Sequence, residues 1–128
     1  HIISPLGRSS VSHFHFASFY CCKRLRGPQV TQVFNTLRKH GVTISLDPQL
    51  DSEDKWNYPE LWDMLTCIDI FLPNETEAQR ITEESDLDKA MEKLCKGMPQ
   101  GLVVMKLGEN GAAAGIINQE TGQVEVIN

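Results

Sequence analysis

Two carboxylates and an amide follow a short apolar run in the middle of the chain, where residues 68–77 read IDIFLPNETE. The run stops at Pro73, and Asn74, Glu75 and Glu77 then open a helix-like segment. Carboxylates beside a phosphate site are typical ligands of hydrated Mg²⁺. The same residues also begin a helix without any ligand, because Asn74 is a good N-cap and Glu77 completes a capping-box pattern. The spacing alone favours capping, and the metal interpretation stays open beside it.

A glycine-rich turn follows a second apolar run, LVVM, and reads KLGENG. Glycines in such a turn let backbone N–H groups approach phosphate oxygens, and Lys106 adds a positive charge. The turn matches neither a P-loop nor a dinucleotide fingerprint, and the alternative is a simple link between two strands. The candidate phosphate- or nucleotide-binding residues of this turn are therefore Lys106, Leu107, Gly108, Glu109, Asn110 and Gly111.

Polar side chains also follow two other predicted strands. Asp47 comes directly after VTISL, and Ser18 and Tyr20 lie at the end of HFHFASFY. Open α/β sheets bind ligands at the carboxyl ends of their parallel strands. We therefore predict that Ser18, Tyr20 and Asp47 contact substrate, with turn capping as the alternative for Asp47.

Two histidines alternate with two phenylalanines at the start of the first strand, so His13 and His15 point to one face and Phe14 and Phe16 to the other. Two imidazoles at this spacing can bind a metal from a strand. No third ligand is close in the sequence, so we interpret them as polar groups on one face of a strand.

Hydrophobic periodicity predicts the elements that position these groups. Residues 1–12 are predicted as a loop; strands are predicted at 13–20, 42–46, 68–72, 102–105, 112–117 and 123–127, and helices at 28–40, 59–66, 75–82 and 87–96. Strands that alternate with helices favour a mainly parallel sheet with helices on both faces. The predicted fold class is therefore α/β, a Rossmann-like three-layer αβα arrangement that ends in a β-hairpin.

Composition excludes several classes of function. The length of 128 residues suits one domain or part of a larger one, and a net charge of −5 argues against nucleic-acid binding. No apolar stretch is long enough to span a membrane. The four cysteines form no CxxC pair, which favours reduced thiols and a cytoplasmic protein over a zinc site or a disulfide framework.

Four segments resemble the ribokinase-like (PfkB) carbohydrate kinases in their order and spacing, over about residues 11 to 128: HFHFASFY, VTISLDPQLDSEDKW, IDIFLPNETEAQRIT and LVVMKLGENGAAAG. The resemblance implies ATP-dependent transfer of the γ-phosphate to a sugar or sugar-acid hydroxyl, with Mg²⁺ as cofactor. It also implies that Asn74 and Glu77 organise magnesium and phosphate, Glu77 through water. The turn from Lys106 to Gly111 would bound the nucleotide, and the parent protein would be a homodimer.

The sequence departs from the family pattern in ways that limit the prediction. Nothing in the chain matches the Gly-Ala-Gly-Asp run that carries the family's catalytic Asp, which we expect beyond Asn128, and the N-terminal lid region is also absent. We therefore expect residues 1–128 to be the central part of a single ribokinase-like domain that is inactive alone. Ala17 stands where ribokinases often carry an acidic sugar contact, and Gln49 replaces an Asn of fructokinase-like members. The alternatives are a nucleoside or vitamin kinase of the same fold, or a non-catalytic α/β ligand-binding domain.

Overall fold

The structure is a computed structural model that describes residues 11–127. Most of the loop predicted for residues 1–12 lies outside these residues. The strands are β1 (His13–Ala17), β2 (Thr43–Asp47), β3 (Ile70–Phe71), β4 (Leu102–Lys106), β5 (Ala112–Ile117) and β6 (Val124–Ile127). The helices are α1 (Pro28–Lys39), α2 (Pro59–Leu65), α3 (Glu75–Thr82) and α4 (Leu87–Gly97), with 3₁₀ turns at Lys23–Leu25 and Gly108–Asn110. The predicted order of strands and helices is confirmed.

Two strands are shorter than the sequence pattern predicts. The first ends at Ala17 because Ser18 adopts a left-handed backbone conformation, with φ 65°, which turns the chain out of the strand. The third strand keeps only Ile70–Phe71 of the predicted residues 68–72. Its flanking residues still bond to β2, since the N–H of Asp69 donates to Ile44 O and that of Leu72 to Leu46 O.

The six strands form one sheet in the order β1-β2-β3-β4-β5-β6. The first four are parallel, and β5 and β6 form the antiparallel hairpin that the sequence predicts. The β5 strand is also antiparallel to β4, so the glycine-rich turn joins two neighbouring strands directly. The α/β class and the mainly parallel sheet are confirmed.

One face of the sheet, which we call the covered face, carries the core. Its central side chains are at most 7% exposed: Phe16, Ile44, Leu46, Phe71, Val103, Met105 and Ala113. Helix α1 packs on it through Phe34, whose ring centroid lies 6.0 Å from that of Phe16. Helix α4 packs so closely that a Cβ added at Gly115 would lie 2.6 Å from Met91 Sδ.

The opposite face, the open face, has no helix against it within the described residues. The strand register assigns to this face the residues that alternate with those of the covered face: His13, His15, Thr43, Ser45, Asp47, Ile70, Leu102, Val104, Lys106, Ala114 and Ile116. Nearly all of them are partly or fully exposed, with Ser45 an exception at 4%.

We expected helices on both faces, and residues 11–127 do not form the second layer. The four helices contact one another and the covered face instead. The reason is topological: right-handed crossovers that always add the next strand on the same side of the sheet place all their helices on one face.

Candidate functional site

The carboxyl ends of the four parallel strands bring together groups that are far apart in sequence. The N–H of Ser18 donates to Asp47 O at 3.1 Å, and the N–H of Lys106 donates to Pro73 O at 2.8 Å. The Lys106 ammonium donates to Asp47 Oδ2 at 2.6 Å across 59 residues. Three of the predicted site residues therefore meet at one edge of the sheet.

The helix α3 begins with a complete capping box. Asn74 Oδ1 accepts from the N–H of Glu77 at 2.8 Å, and Glu77 Oε2 accepts from the N–H of Asn74 at 2.8 Å. Asn74 also forms a parallel bridge with Lys106. The capping box thus fixes the Glu77 carboxylate beside the Lys106–Asp47 ion pair.

Glu77 is a buried carboxylate, only 6% exposed. Burial raises its pKa, against the opposing effects of the Asn74 N–H and the Lys106 ammonium, and Asp47 raises it further. Only Oε2 accepts a hydrogen bond from the part of the chain that is described, which leaves Oε1 available. A carboxylate with one uncommitted oxygen fits a magnesium ion held through water, because Mg²⁺ keeps several waters and takes few protein ligands.

The turn after β4 presents backbone donors at the same edge. Gly108 and Gly111 have φ 56° and 86°, a region that favours glycine. Within the turn, Leu107 N–H donates to Gly111 O and Asn110 N–H to Leu107 O. Among residues 11–127 nothing accepts from the N–H groups of Gly108 and Glu109, so these donors are free to meet an anion.

Ser18 and Gln49 form a polar pair next to Asp47. Ser18 Oγ donates to Gln49 Oε1 at 2.5 Å, and the Gln49 N–H donates to Asp47 Oδ1 at 3.3 Å. Both residues have positive φ, at 65° and 56°. Residues other than glycine with a left-handed backbone cluster at binding and active sites.

Tyr20 lies apart from these open groups and does not face the solvent-exposed edge. It is 3% exposed, and its hydroxyl donates to Trp56 O at 2.7 Å. Burial raises its pKa, and Asp51 and Glu77 reinforce the shift. The sequence placed Tyr20 at the edge because the predicted strand was three residues longer than β1.

Asp51 is an organising residue that the sequence did not single out. This carboxylate is 5% exposed and accepts from the N–H groups of Glu53, Lys55 and Trp56 at 3.0, 2.9 and 2.8 Å. Burial alone would raise its pKa, but the three backbone donors together lower it. In sequence, Asp51 is one of several acidic residues in a polar loop, and nothing local distinguishes it.

A surface depression of about 690 Å³ lies at the other end of the sheet, between α1 and the start of β2. Arg38 and Asp69 form an ion pair there, with Nη2 and Oδ1 3.1 Å apart. None of the predicted site residues lines it. The predicted site residues therefore lie on the open edge of the sheet and not in this depression.

Solved structures with a similar fold include three kinases. The adenosine kinase of Anopheles gambiae, in complex with P1,P4-di(adenosine-5) tetraphosphate, is 16% identical over 92% of this chain, with a TM-score of 0.66. The fructokinase of Vibrio cholerae O395, with fructose, ADP and calcium, is 18% identical over 91% of this chain, with a TM-score of 0.60. The ribokinase of Arabidopsis thaliana, with ribose and ATP, is 31% identical over 77% of this chain, with a TM-score of 0.54. This chain spans only 37%, 37% and 30% of their respective lengths.

Curated protein sequences gave no match to the chain. The profile of the pfkB family carbohydrate kinases, in contrast, matches residues 8–128, which is nearly the whole sequence. No helix in the described part is long and apolar enough to cross a membrane. With the fold and the family profile in agreement, the chain belongs to the pfkB family of carbohydrate kinases.

Proposed function

We propose that this chain supplies the magnesium- and phosphate-holding part of an ATP-dependent carbohydrate kinase, which transfers the γ-phosphate of ATP to a sugar or sugar-acid hydroxyl. The observation that supports it best is the meeting of Asp47, Asn74, Glu77 and Lys106 at the carboxyl edge of the parallel strands. Members of the pfkB family are kinases, and this edge has the charges that phosphoryl transfer requires.

The roles follow from the chemistry of each group. In phosphoryl transfer the protein mainly positions the reactants and stabilises charge on the phosphate oxygens. Glu77 Oε1 would hold a water of the magnesium ion, and Asn74 would fix the carboxylate through the capping box. Bound Mg²⁺ would neutralise charge on the phosphates.

The Lys106 ammonium and the free N–H groups of Gly108 and Glu109 would face the nucleotide. Leu107, Asn110 and Gly111 would hold the turn that presents them, since their own hydrogen bonds close it. Ser18 and Asp47, joined by Gln49, are the proposed sugar-side contacts. Tyr20 would support the site from the core and not touch the substrate.

The general base that deprotonates the sugar hydroxyl has no assigned residue in this chain. We propose that this base is an Asp beyond Asn128 and that residues 1–128 are the central part of one ribokinase-like domain. The chain alone is then expected not to phosphorylate a sugar. We also propose a cytoplasmic protein, in which the thiols stay reduced, and a homodimeric parent. Burial raises the pKa of Cys67 and Cys95 to about 11, which keeps both thiols protonated.

The test is a titration of the chain with a fluorescent ATP analogue, with Mg²⁺ present or removed by EDTA. We expect binding that requires Mg²⁺ and that falls about tenfold or more in Glu77→Gln. Glu75→Gln is the matched control, because it removes the same charge from the same helical turn. Binding that is equal in both variants, or that ignores Mg²⁺, would contradict the assignment.

The acceptor is tested separately on a longer protein that contains this chain, with a panel of sugars, sugar acids and nucleosides. Phosphorylation of a sugar or sugar acid is the expected result. Turnover of a nucleoside alone would identify the alternative kinase of the same fold. Robust sugar phosphorylation by the 128-residue chain itself would contradict the placement of the base outside it.

A further inference from the structure

An ion pair joins the last residues of two parallel strands at the candidate site. Asp47 ends β2 and Lys106 ends β4, and the Lys106 ammonium donates to Asp47 Oδ2 at 2.6 Å. The pair therefore lies at the carboxyl ends of the strands, where open α/β sheets bind ligands, and not in the middle of the open face. The cation that we assign to the nucleotide is thus also the partner of a carboxylate.

Asp47 is the fixed partner of this pair. Its backbone O accepts from the N–H of Ser18 at 3.1 Å, and Asp47 is in register with Ala17 of β1. The second carboxylate oxygen, Oδ1, accepts from the N–H of Gln49 at 3.3 Å. Both the backbone and the carboxylate of Asp47 are therefore held by neighbouring segments.

Lys106 combines a fixed backbone with a side chain that is free to rotate. Its N–H donates to Pro73 O at 2.8 Å, and it forms a parallel bridge with Asn74. The side chain is partly exposed, and the ammonium of a lysine sits on a flexible four-carbon stem. The ammonium can therefore leave Asp47 without any change in the sheet.

A bound anion would attract the same ammonium. Lys106 begins the turn in which the N–H groups of Gly108 and Glu109 are free, so an anion held by this turn lies close to Lys106. Burial raises the pKa of Glu77, while the Lys106 ammonium lowers it and Asp47 raises it, so both members of the pair act on the proposed magnesium group. Lysine binds phosphate as a point charge, through strong charge-assisted hydrogen bonds.

We propose that Asp47 competes with the nucleotide phosphates for the Lys106 ammonium, so that this ion pair restrains nucleotide binding and opens when a nucleotide binds. The inference rests on the proposed function, because it takes the Lys106 turn as the nucleotide-binding turn. It adds a restraining role for Asp47: loss of Lys106 weakens nucleotide binding, whereas loss of the Asp47 charge strengthens it. Partly exposed ion pairs are weak, so the expected gain is about threefold.

The first experiment is a double-mutant cycle in the ATP-analogue titration with Mg²⁺. Asp47→Asn is expected to bind about threefold more tightly than the parent, and the same change should have little effect in the Lys106→Met background. Glu75→Gln is the matched control for the loss of one negative charge near this edge, and it is expected to bind as the parent does. Equal gains in Asp47→Asn and Glu75→Gln, or equal gains with and without Lys106, would overturn the proposal.

The second experiment uses the unmodified chain and a carbodiimide, which joins an amine to a carboxylate in direct contact. Mass spectrometry of peptides is expected to show a Lys106–Asp47 cross-link that falls severalfold at saturating ATP and Mg²⁺. The Lys96–Glu92 pair on α4, 2.5 Å apart, is the control, and its cross-link should not respond to nucleotide.

The outcomes separate this inference from the proposed function. Nucleotide binding with an unchanged Lys106–Asp47 cross-link would overturn the inference alone, as would the absence of that cross-link from the protein without nucleotide. A chain that binds no nucleotide with or without Mg²⁺ would overturn both the inference and the proposed function.

Discussion

The two faces of the sheet differ in what their side chains do. On the covered face, Ile44 and Leu46 are fully buried, and helices α1 and α4 pack against their neighbours. On the open face the same strand presents Ser45 and Asp47, which bond to His13, His15 and Lys106. Successive residues of β2 thus serve opposite purposes: the apolar ones hold the fold, and the polar ones carry the chemistry.

The comparison shows that, within residues 11–127, one layer of helices buries one face of the sheet. Hydrophobic burial is the largest favourable contribution to folding, and here the helices supply it from a single layer. The open face is then free to carry ionisable groups that a buried face would exclude. The predictions below test this division, from the largest expected effect to the smallest.

The sharpest test compares two isoleucines. Ile44 is 0% exposed on the covered face, and Ile116 is 39% exposed on the open face. Ile44→Ala is expected to lower the free energy of unfolding by about 3 to 4 kcal/mol, because it leaves a cavity. Ile116→Ala should lower it by less than about 1 kcal/mol. Urea unfolding of both variants measures the difference, and equal losses would break the comparison.

A second test asks whether a buried polar group in the loop after β2 also stabilises the fold. Asp51→Asn replaces the carboxylate that accepts three backbone hydrogen bonds. We expect a loss of about 2 kcal/mol, the usual size for hydrogen bonds to a charged group.

The pH dependence of stability tests whether the ionised form of Asp51 is the one that stabilises the fold. The pKa of Asp51 is lowered from its ordinary 3.8 in the folded state. Its contribution is therefore present above that value and is lost as the pH falls through the folded pKa. The parent should lose more stability than Asp51→Asn between neutral pH and acid, and parallel curves would exclude this role.

A third test uses the tight contact between β5 and α4. A Cβ at Gly115 would lie 2.6 Å from Met91 Sδ and 2.8 Å from Cys95 Sγ. Gly115→Ala should therefore cost about 1 to 2 kcal/mol through overpacking. Ala112→Val is the control on the exposed side of the same strand, expected within about 0.5 kcal/mol of the parent. A stabilised Gly115→Ala would show that α4 packs more loosely than described.

The smallest effect on stability is expected at the carboxyl ends of the parallel strands, where Lys106 pairs with Asp47. In the Lys106–Asp47 ion pair the side chains are 41% and 22% exposed, and such pairs contribute little. Lys106→Met should change the free energy of unfolding by less than about 1 kcal/mol but weaken nucleotide binding clearly. Calorimetric unfolding and the ATP-analogue titration measure the two quantities. A large loss of stability with unchanged binding would reverse the assignment.

The local features were predictable and the long-range ones were not. The Asn74–Glu77 capping box follows from a spacing of three residues, so the sequence contains all of it. The strand ends followed from periodicity, which predicted that Asp47 and Lys106 share an edge, but not that they form an ion pair across 59 residues.

The features that the sequence did not place correctly depend on single backbone dihedral angles and on the order of the strands in the sheet. Ser18 ends β1 by a left-handed φ, a conformation uncommon for serine, and this moved Tyr20 from the predicted edge into the core. The sequence also did not show that the helices of residues 11–127 all lie on one face, because the order of strands cannot be read from their alternation with helices.

The strand order, which is identical to the chain order, has a consequence for how the protein forms. Each strand pairs with the one that precedes it, so the three parallel pairings His13↔Thr43, Ser45↔Ile70 and Ile70↔Leu102 each close a segment of about 25 to 32 residues, and the antiparallel pairings are more local. Short loop closures are entropically cheaper and fold faster than distant ones. Each of the strands from β2 to β6 can therefore pair, as synthesis proceeds, with a strand that has already been made.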